Sequence, residues 1–309
     1  MISRRNIRVK VMQVLYMMEV ALEDGAMKNP VNELQKQFDK TKELLVYILY
    51  FITEVARYAE TDAKNKANKH LPTTADLNIN TKLAGNGLLW VILENPSFVK
   101  EMEALQPKHL IDTNLLKRTY LKLVETQEYK TYIIEQSRNK GGEKDMLRFI
   151  FTNLLLPEEH FTSHLEELFN NWDDDADMME QLVNNYLSKP TGYNLSQIIS
   201  EDKWQFAKTL LTSTFNKRQF LLDTIKPKLQ NWDVERIAAL DMVLMQMGLC
   251  ELLYFETIPT KVSINEYIDL AKDYSTEQSG HFVNGILDNI HKELVAEGKI
   301  NKIDFKQRK

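Results

Sequence analysis

The sequence predicts an all-α protein, and three observations support this. Its 309 residues include only 10 Gly and 8 Pro, so residues that break helices are few. Apolar residues recur at spacings of three and four over long stretches, whereas period-two alternation is rare. The composition, 43% hydrophobic and 27% charged, is typical of a globular protein of this length. These features favour packed helices around one large core or two ordinary ones.

Cysteine content and charge narrow the classes of protein to consider. Cys250 is the single cysteine, which excludes an internal disulfide and argues against a cysteine-based zinc site. No stretch approaches the roughly 18 uncharged apolar residues of a membrane span, and the first residues do not resemble a signal peptide. We therefore expect a cytoplasmic protein. A net charge of −5 argues against indiscriminate coating of nucleic acid, but a local basic site remains open.

The first helix should run from residue 3 or 4 to about 23, with one apolar stripe. That stripe contains Val11, Val14, Leu15 and Met18. Further helices are predicted at 31–69, 77–93, 113–136, 147–156, 157–172, 176–187, 201–222, 233–255, 263–272 and 280–297. The Gly-Gly pair predicts a linker at 138–144, and Pro190 with Gly192 predicts a second break.

Two local patterns in the C-terminal third predict particular backbone features. Ser263 and Glu266 have the spacing of a capping box at a helix start. Gly285 falls inside the last predicted helix, where glycine costs about 1 kcal/mol relative to alanine. We therefore expect a close helix crossing or a local cap at Gly285.

The first helix begins with four positive charges. Arg4, Arg5, Arg8 and Lys10 all precede the first acid, Glu19. Cations at a helix N-terminus oppose the helix dipole and cost a few tenths of a kcal/mol each, so stability alone does not favour them. Binding to phosphate would offset that cost. The alternative is a solvated helix start with no ligand.

Tyr16 follows Arg5 by eleven residues, about three helical turns, and so lies on the same side of the helix. An exposed aromatic ring beside arginines suits single-stranded RNA, whose bases can stack on it. A tyrosine at the edge of the apolar face, with its hydroxyl in water, is the alternative.

Five segments, in order, resemble the NusB family of transcription antitermination proteins. The first is residues 4–16, with the arginine-rich start followed by Gln13 and Leu-Tyr16. The others are 231–241, Cys250-Glu-Leu, 258–272 (Ile-Pro-Thr-Lys-Val-Ser-Ile-Asn-Glu-Tyr-Ile-Asp-Leu-Ala-Lys) and 282–288 (Phe-Val-Asn-Gly-Ile-Leu-Asp). Family members are about half as long as this chain, and residues 25–199 have no recognisable counterpart.

The resemblance implies two packed helical subdomains and a non-enzymatic role without a cofactor. It assigns residues 1–24 and 200–295 to a discontinuous RNA-binding domain, 25–199 to a helical insertion of unknown role and 296–309 to a basic tail. The implied function is binding of the boxA element of nascent ribosomal RNA together with NusE, a small-subunit ribosomal protein. That complex supports elongation by RNA polymerase in an antitermination complex; homodimerisation is left open.

The resemblance also suggests which residues bind each partner. The expected RNA-binding residues are Arg4, Arg5, Arg8, Lys10, Tyr16, Lys261 and Phe282. The expected NusE-binding residues are Asp241, Glu251 and Gln278, although Gln278 replaces an acid found in some relatives. The alternatives are a core position for Phe282, solubilising lysine for Lys261, and ordinary helix-surface charge for the two acids.

Other chemistry is weakly supported. His160 and His164 are one turn apart but lack the glutamate of a zincin motif, and residues 173–184 lack the glycine and closing glutamate of a calcium loop. A second hypothesis is a helical adaptor whose insertion binds a partner protein. A third is an RNA-modifying enzyme, but no strand–glycine loop–helix pattern for its cofactor is present.

Overall fold

The computed structural model describes residues 2–21, 29–229 and 237–303. Within these ranges the regular elements are helices and there is no strand, which confirms the predicted all-α class. The chain divides into two compact units. Unit 1 comprises Met1–Ile2 and Phe38–Ile198, and unit 2 comprises Ser3–Gln37 and Ile199–Lys309. The division at 37/38 falls inside a helix, whereas the sequence places the start of the insertion at residue 25.

Unit 1 is built around one long helix, α2 (Pro30–Ala67), whose first residues belong to unit 2. The others are α3 (Thr74–Leu77), α4 (Gly87–Leu93), α5 (Pro96–Leu105), α6 (Thr113–Glu125), α7 (Gln127–Ile134), α8 (Lys140–Phe149), α9 (Glu159–Leu168) and α10 (Trp172–Ser188). A π-helical segment, Ile150–Leu155, continues α8, and short 3-10 helices lie at Pro107–His109, Pro190–Gly192 and Leu195–Gln197.

The middle of α2 is buried on every face. From Leu44 to Ile52 each side chain is at most 6% exposed. A helix that is apolar all round is a core helix, and here the others pack around it. Aromatic rings fill its surroundings: Phe51 lies 5.0 Å from Phe161 and Tyr47 lies 5.3 Å from Phe169, measured between ring centroids.

Several predicted boundaries in unit 1 are wrong, and capping side chains explain why. The helix predicted at 77–93 is interrupted, because the Asn86 side chain accepts hydrogen bonds from Leu88 N and Leu89 N and starts α4 there. The linker predicted at 138–144 is mostly helix, since Asn139 accepts from Gly142 N and starts α8. The helix predicted at 113–136 divides at Thr126, which is extended and caps α7.

Besides the start of α2, unit 2 contains six α-helices among its described residues. They are α1 (Arg4–Ala21), α11 (Glu201–Asn216), α12 (Arg218–Ile225), α13 (Ala239–Tyr254), α14 (Thr260–Tyr274) and α15 (Ser279–Ala296). A 3-10 helix, Lys226–Leu229, follows α12. Most of the resembling segment at 231–241 lies outside the described residues.

The core helix of unit 2 is α13, which is buried from Val243 to Leu252. Its glycine, Gly248, makes the close crossing: a Cβ added there would lie 2.8 Å from Leu287 Cδ1 and 3.2 Å from Tyr267 Cδ2. The crossing expected at Gly285 is not seen, because no atom of the described residues lies within 4 Å of a Cβ added at that position. In the part of the chain that the structure describes, no helix is long and apolar enough to span a bilayer.

Candidate nucleic-acid interface

The first helix of unit 2 begins at Arg4 and has no acid in its first turn. Ser3 starts it, since its hydroxyl accepts a hydrogen bond from Asn6 N at 3.1 Å. The opposite face packs inwards through Ile7, Val11 and Val14, each fully buried. The helix is therefore fixed by its apolar face while its start carries cations.

Arg4 and Arg5 lie at the surface. The Arg4 guanidinium stands 5.6 Å from the Phe206 ring centroid, a cation–π contact that leaves its hydrogen-bond donors available to a ligand. Arg5 has a side chain 37% exposed, and its Nη2 lies 2.5 Å from Asp273 Oδ2. Glu266 is also near, with Oε2 4.0 Å from Arg5 Nη1. A phosphate would have to compete with Asp273 for Arg5.

Arg8 is 2% exposed and forms an ion pair with fully buried Glu251. Its Nε lies 2.9 Å from Glu251 Oε2 and its Nη2 lies 2.8 Å from Glu251 Oε1, a two-pronged pair. The structure therefore corrects two expectations. Arg8 is not an exposed phosphate ligand, and Glu251 is not a surface contact for a partner.

Glu251 accepts two further hydrogen bonds, from Ser263 Oγ at 2.7 Å and Tyr267 Oη at 3.0 Å. Ser263 thus lies within α14 and bonds to α13, so the capping-box prediction is wrong. Burial alone would lower the pKa of Arg8, but the hydrogen bonds and charge of Glu251 more than offset it and the pKa is raised. Burial, followed by the charge of Glu251, raises the pKa of Tyr267 well above its usual value.

Lys10 also departs from expectation, because it is fully buried in unit 2. A buried ammonium group cannot reach a phosphate at the surface without a rearrangement of α1. Lys10 is therefore removed from the set of exposed cations. Tyr16, in contrast, is 40% exposed, and lies about 16 Å along α1 from Arg5.

Helices α14 and α15 carry the remaining expected residues. Lys261 is exposed in the first turn of α14, and Gln278 is exposed immediately before α15. Phe282 is partly buried in the first turn of α15. Asp241 is only 6% exposed, and its Oδ2 accepts from Ser279 Oγ at 2.8 Å. Asp241 therefore joins α13 to α15, which corrects its expected position at a partner surface.

The end of the described chain packs on α13. Lys302 Nζ donates to the carbonyl oxygens of Glu251 at 2.9 Å and Phe255 at 2.8 Å. Both carbonyls also accept a backbone hydrogen bond, from Phe255 N and Ile258 N respectively, so Lys302 adds a second donor to each. Burial lowers the pKa of Lys302. Sequence reasoning missed this contact, and it missed Glu266 and Asp273 as partners of Arg5.

No metal site is found among the described residues, where no group of three or more His, Cys, Asp or Glu side chains is placed to hold an ion. His164 Nε2 lies 2.5 Å from Tyr47 Oη, so this nitrogen is engaged in the core of unit 1. Cys250 is buried, and burial raises the pKa of its thiol to about 12, which makes it unreactive.

The fold and these side chains define a helical protein with exposed cations at the start of α1 and partly exposed aromatic rings further along α1 and on α15. The NusB family model matches residues 164–292. This match begins 36 residues before residue 200, the position at which the second part of the NusB-like domain is predicted to start from the sequence.

Curated relatives match over about one third of the chain. Transcription antitermination protein NusB of Natranaerobius thermophilus is 32% identical over 96 residues, which are 31% of this chain and 69% of the relative. The protein of that name from Salinibacter ruber is 43% identical over 97 residues, 31% of this chain and 61% of the relative. That from Chloroherpeton thalassium is 39% identical over 97 residues, 31% of this chain and 46% of the relative.

The chain belongs to the NusB family, as the sequence predicted. The match covers less than two thirds of two of these three relatives. No solved structure matches the chain.

Proposed function

We propose that this chain is a transcription antitermination factor that binds boxA RNA of nascent ribosomal transcripts together with NusE. In this proposal it acts without catalysis, in the cytoplasm, as part of an RNA polymerase antitermination complex. The names of its relatives support the antitermination role. The observation that carries RNA binding is the exposed start of α1, with Arg4 and Arg5 at the surface and no acid in its first turn.

Because Arg8 and Lys10 are buried, fewer phosphate contacts are expected, and the expected salt dependence of RNA affinity is weaker. Arg4, Arg5 and Lys261 remain as exposed or partly exposed cations. Three phosphate contacts on single-stranded RNA predict that log K falls with log[salt] with a slope of about −2, at about 0.7 per contact. Tyr16 and Phe282 supply rings on which bases can stack, worth about 1–3 kcal/mol per base where stacking is complete.

The test is a titration of a fluorescent boxA-like RNA with the full chain, with and without NusE. We expect weak binding alone and tighter binding with NusE. Arg5→Ala and Tyr16→Ala should each weaken binding. Lys117→Ala, which removes an exposed cation from α6, and Phe220→Ala, which removes an exposed ring from α12, are matched controls that should leave affinity unchanged. The proposal fails if NusE gives no enhancement and the two α1 variants bind as wild type does.

A second candidate function, a helical adaptor, is favoured by apolar side chains at the surface of unit 1. Leu77 is 60% exposed and Ile134 is 77% exposed. Scattered exposed apolar residues are common, so this is the weaker candidate. Leu77→Lys/Ile134→Lys should leave both RNA affinity and co-elution with RNA polymerase unchanged under the main proposal. Loss of co-elution with intact RNA binding would favour the adaptor.

A further inference from the structure

We propose that Glu251 is a positioning residue that sets the orientation of α1 and so holds Arg5 where RNA can reach it. This inference rests on the proposed function and deepens it. Glu251 itself is fully buried, so RNA at the surface cannot contact its side chain directly. Its effect on RNA must therefore act through the residues that it holds.

Several side-chain donors converge on the carboxylate of Glu251. Four side-chain donors reach its two oxygens, two on each: Arg8 Nη2 and Ser263 Oγ on Oε1, and Arg8 Nε and Tyr267 Oη on Oε2. The donors come from α1 and α14, while Glu251 belongs to α13. One side chain thus fixes three helices with directional bonds, which apolar contacts cannot do.

The main chain of the same residue is held as well. Lys302 Nζ donates to the Glu251 carbonyl at 2.9 Å. Aromatic rings confine the guanidinium that Glu251 binds, since Arg8 Cζ lies 5.5 Å from the Phe206 centroid and 6.0 Å from that of Tyr267. The Arg8 guanidinium thus contacts two aromatic rings as well as the carboxylate.

Arg8 is linked in turn to Arg5, the arginine that we propose contacts RNA. Arg8 follows Arg5 by three residues, so both side chains lie on neighbouring parts of one helix face. Glu266 connects them: its Oε2 is 3.2 Å from Arg8 Nη1 and 4.0 Å from Arg5 Nη1. A rotation of α1 that broke the Arg8–Glu251 pair would therefore also displace Arg5.

A buried ion pair is often no more stabilising than well-packed apolar residues of similar volume, because both charges must be desolvated. A stable junction between α1 and α13 therefore does not need these charges. The pair differs from an apolar contact in permitting one orientation of α1, and this is the property that an arginine aimed at phosphate requires.

The test is a double-mutant cycle on RNA affinity in the full chain. Glu251→Gln keeps the size of the side chain but replaces one acceptor oxygen with a donor group that faces Arg8 or its partners. We expect RNA affinity of the folded variant to fall about five- to tenfold, a coupling typical of residues acting through one another. In an Arg5→Ala background the same substitution should cost less than about twofold, because the side chain that it positions is gone.

A matched control separates positioning from lost stability. Ile225→Ala removes a fully buried side chain from α12, a helix that supplies no partner of Glu251 or Arg8. Folded Ile225→Ala should bind RNA as wild type does. Arg8→Met/Glu251→Met, which replaces the pair with apolar side chains, should fold but bind RNA about as weakly as Glu251→Gln does.

Three results would overturn the proposal: folded Glu251→Gln binding as wild type does, an equal loss with and without Arg5, or full affinity in the double methionine variant. If Glu251→Gln does not fold, Tyr267→Phe and Ser263→Ala each remove one of the four hydrogen bonds. Each should then lower affinity by about two- to threefold only when Arg5 is present. Wild type failing to bind the RNA would instead overturn the proposed function, and the positioning role with it.

Discussion

The two units have cores of different chemistry around similarly buried central helices. In unit 1, α2 is surrounded by rings such as Phe51 and Phe161, and the buried carboxyl group of Asp175 accepts hydrogen bonds from the neutral groups of Thr41 and Asn171. In unit 2, α13 carries a buried carboxylate that forms an ion pair with Arg8 of the basic helix. The core of unit 2 thus places an ion pair beneath the proposed RNA surface, and in our proposal this pair maintains the orientation of α1.

The largest expected effect tests the core of unit 1. Phe51→Ala removes a fully buried ring and should lower the free energy of unfolding by about 3–5 kcal/mol, since a cavity remains. Urea denaturation measures this. Phe220→Ala, which removes a ring 53% exposed, should change it by less than about 0.5 kcal/mol. A loss below about 1 kcal/mol for Phe51→Ala would contradict the assignment of α2 as the core helix.

Two glycines in unit 2 should respond in opposite directions. Gly248→Ala places a methyl group 2.8 Å from Leu287 Cδ1 and should lower the free energy of unfolding by about 1–3 kcal/mol. Gly285→Ala meets no described residue within 4 Å and should raise the free energy of unfolding by about 0.5–1 kcal/mol, because alanine favours the helix. Both are measured by urea denaturation. A stabilised Gly248→Ala variant would contradict the close crossing of α13 and α15.

Removing the carboxylate that pairs with Arg5 should have a smaller effect, and this effect is on RNA affinity. Asp273→Asn removes the carboxylate that competes with phosphate, at a partly exposed pair worth about 0.2–1 kcal/mol. Affinity for boxA-like RNA should therefore rise about 1.5- to fivefold. Asp145→Asn removes an equal charge from α8 of unit 1 and is the control. An equal gain in both variants would show that net charge, and not the Arg5 contact, is responsible.

The smallest expected effect is a pH dependence specific to unit 1. Burial lowers the pKa of His164 below its usual 6.5, opposed by the charges of Asp112 and Glu167. Between the lowered pKa and 6.5 the unfolded chain binds a proton that the folded chain does not, so stability should fall as pH falls through this window. His164→Gln should flatten this slope in urea denaturation. An unchanged slope would mean that His164 does not titrate as its burial requires.

The sequence predicted the helical class and the family, but not the interior of the site. Arg8 follows the same three- and four-residue spacing as Val11, Leu15 and Met18, so periodicity alone could have placed it on the buried face. Glu251 continues the stripe of Leu244 and Met247 in the same way. Because both side chains are charged, they were instead predicted to lie at the surface. The pairing itself could not be predicted, because it joins residues 243 positions apart.

The boundaries of the unit 1 helices were predicted less accurately. Their boundaries depend on single capping side chains such as Asn86, Thr126 and Asn139, which compete with an apolar pattern that would otherwise continue. The resemblance to the family did not help to place these helix boundaries. In contrast, Gly285 lies inside a family segment and has no close packing partner among the described residues, so its presence in a helix did not predict a crossing.

The central claim is that phosphate binds the exposed cations at the start of α1. The most direct measurement is the salt dependence of boxA RNA affinity for wild type and Arg5→Ala. The account predicts a slope of log K against log[salt] of about −2 for wild type, less steep by about 0.7 for Arg5→Ala. Equal slopes for the two proteins would contradict it, because Arg5 would then release no counterion on binding.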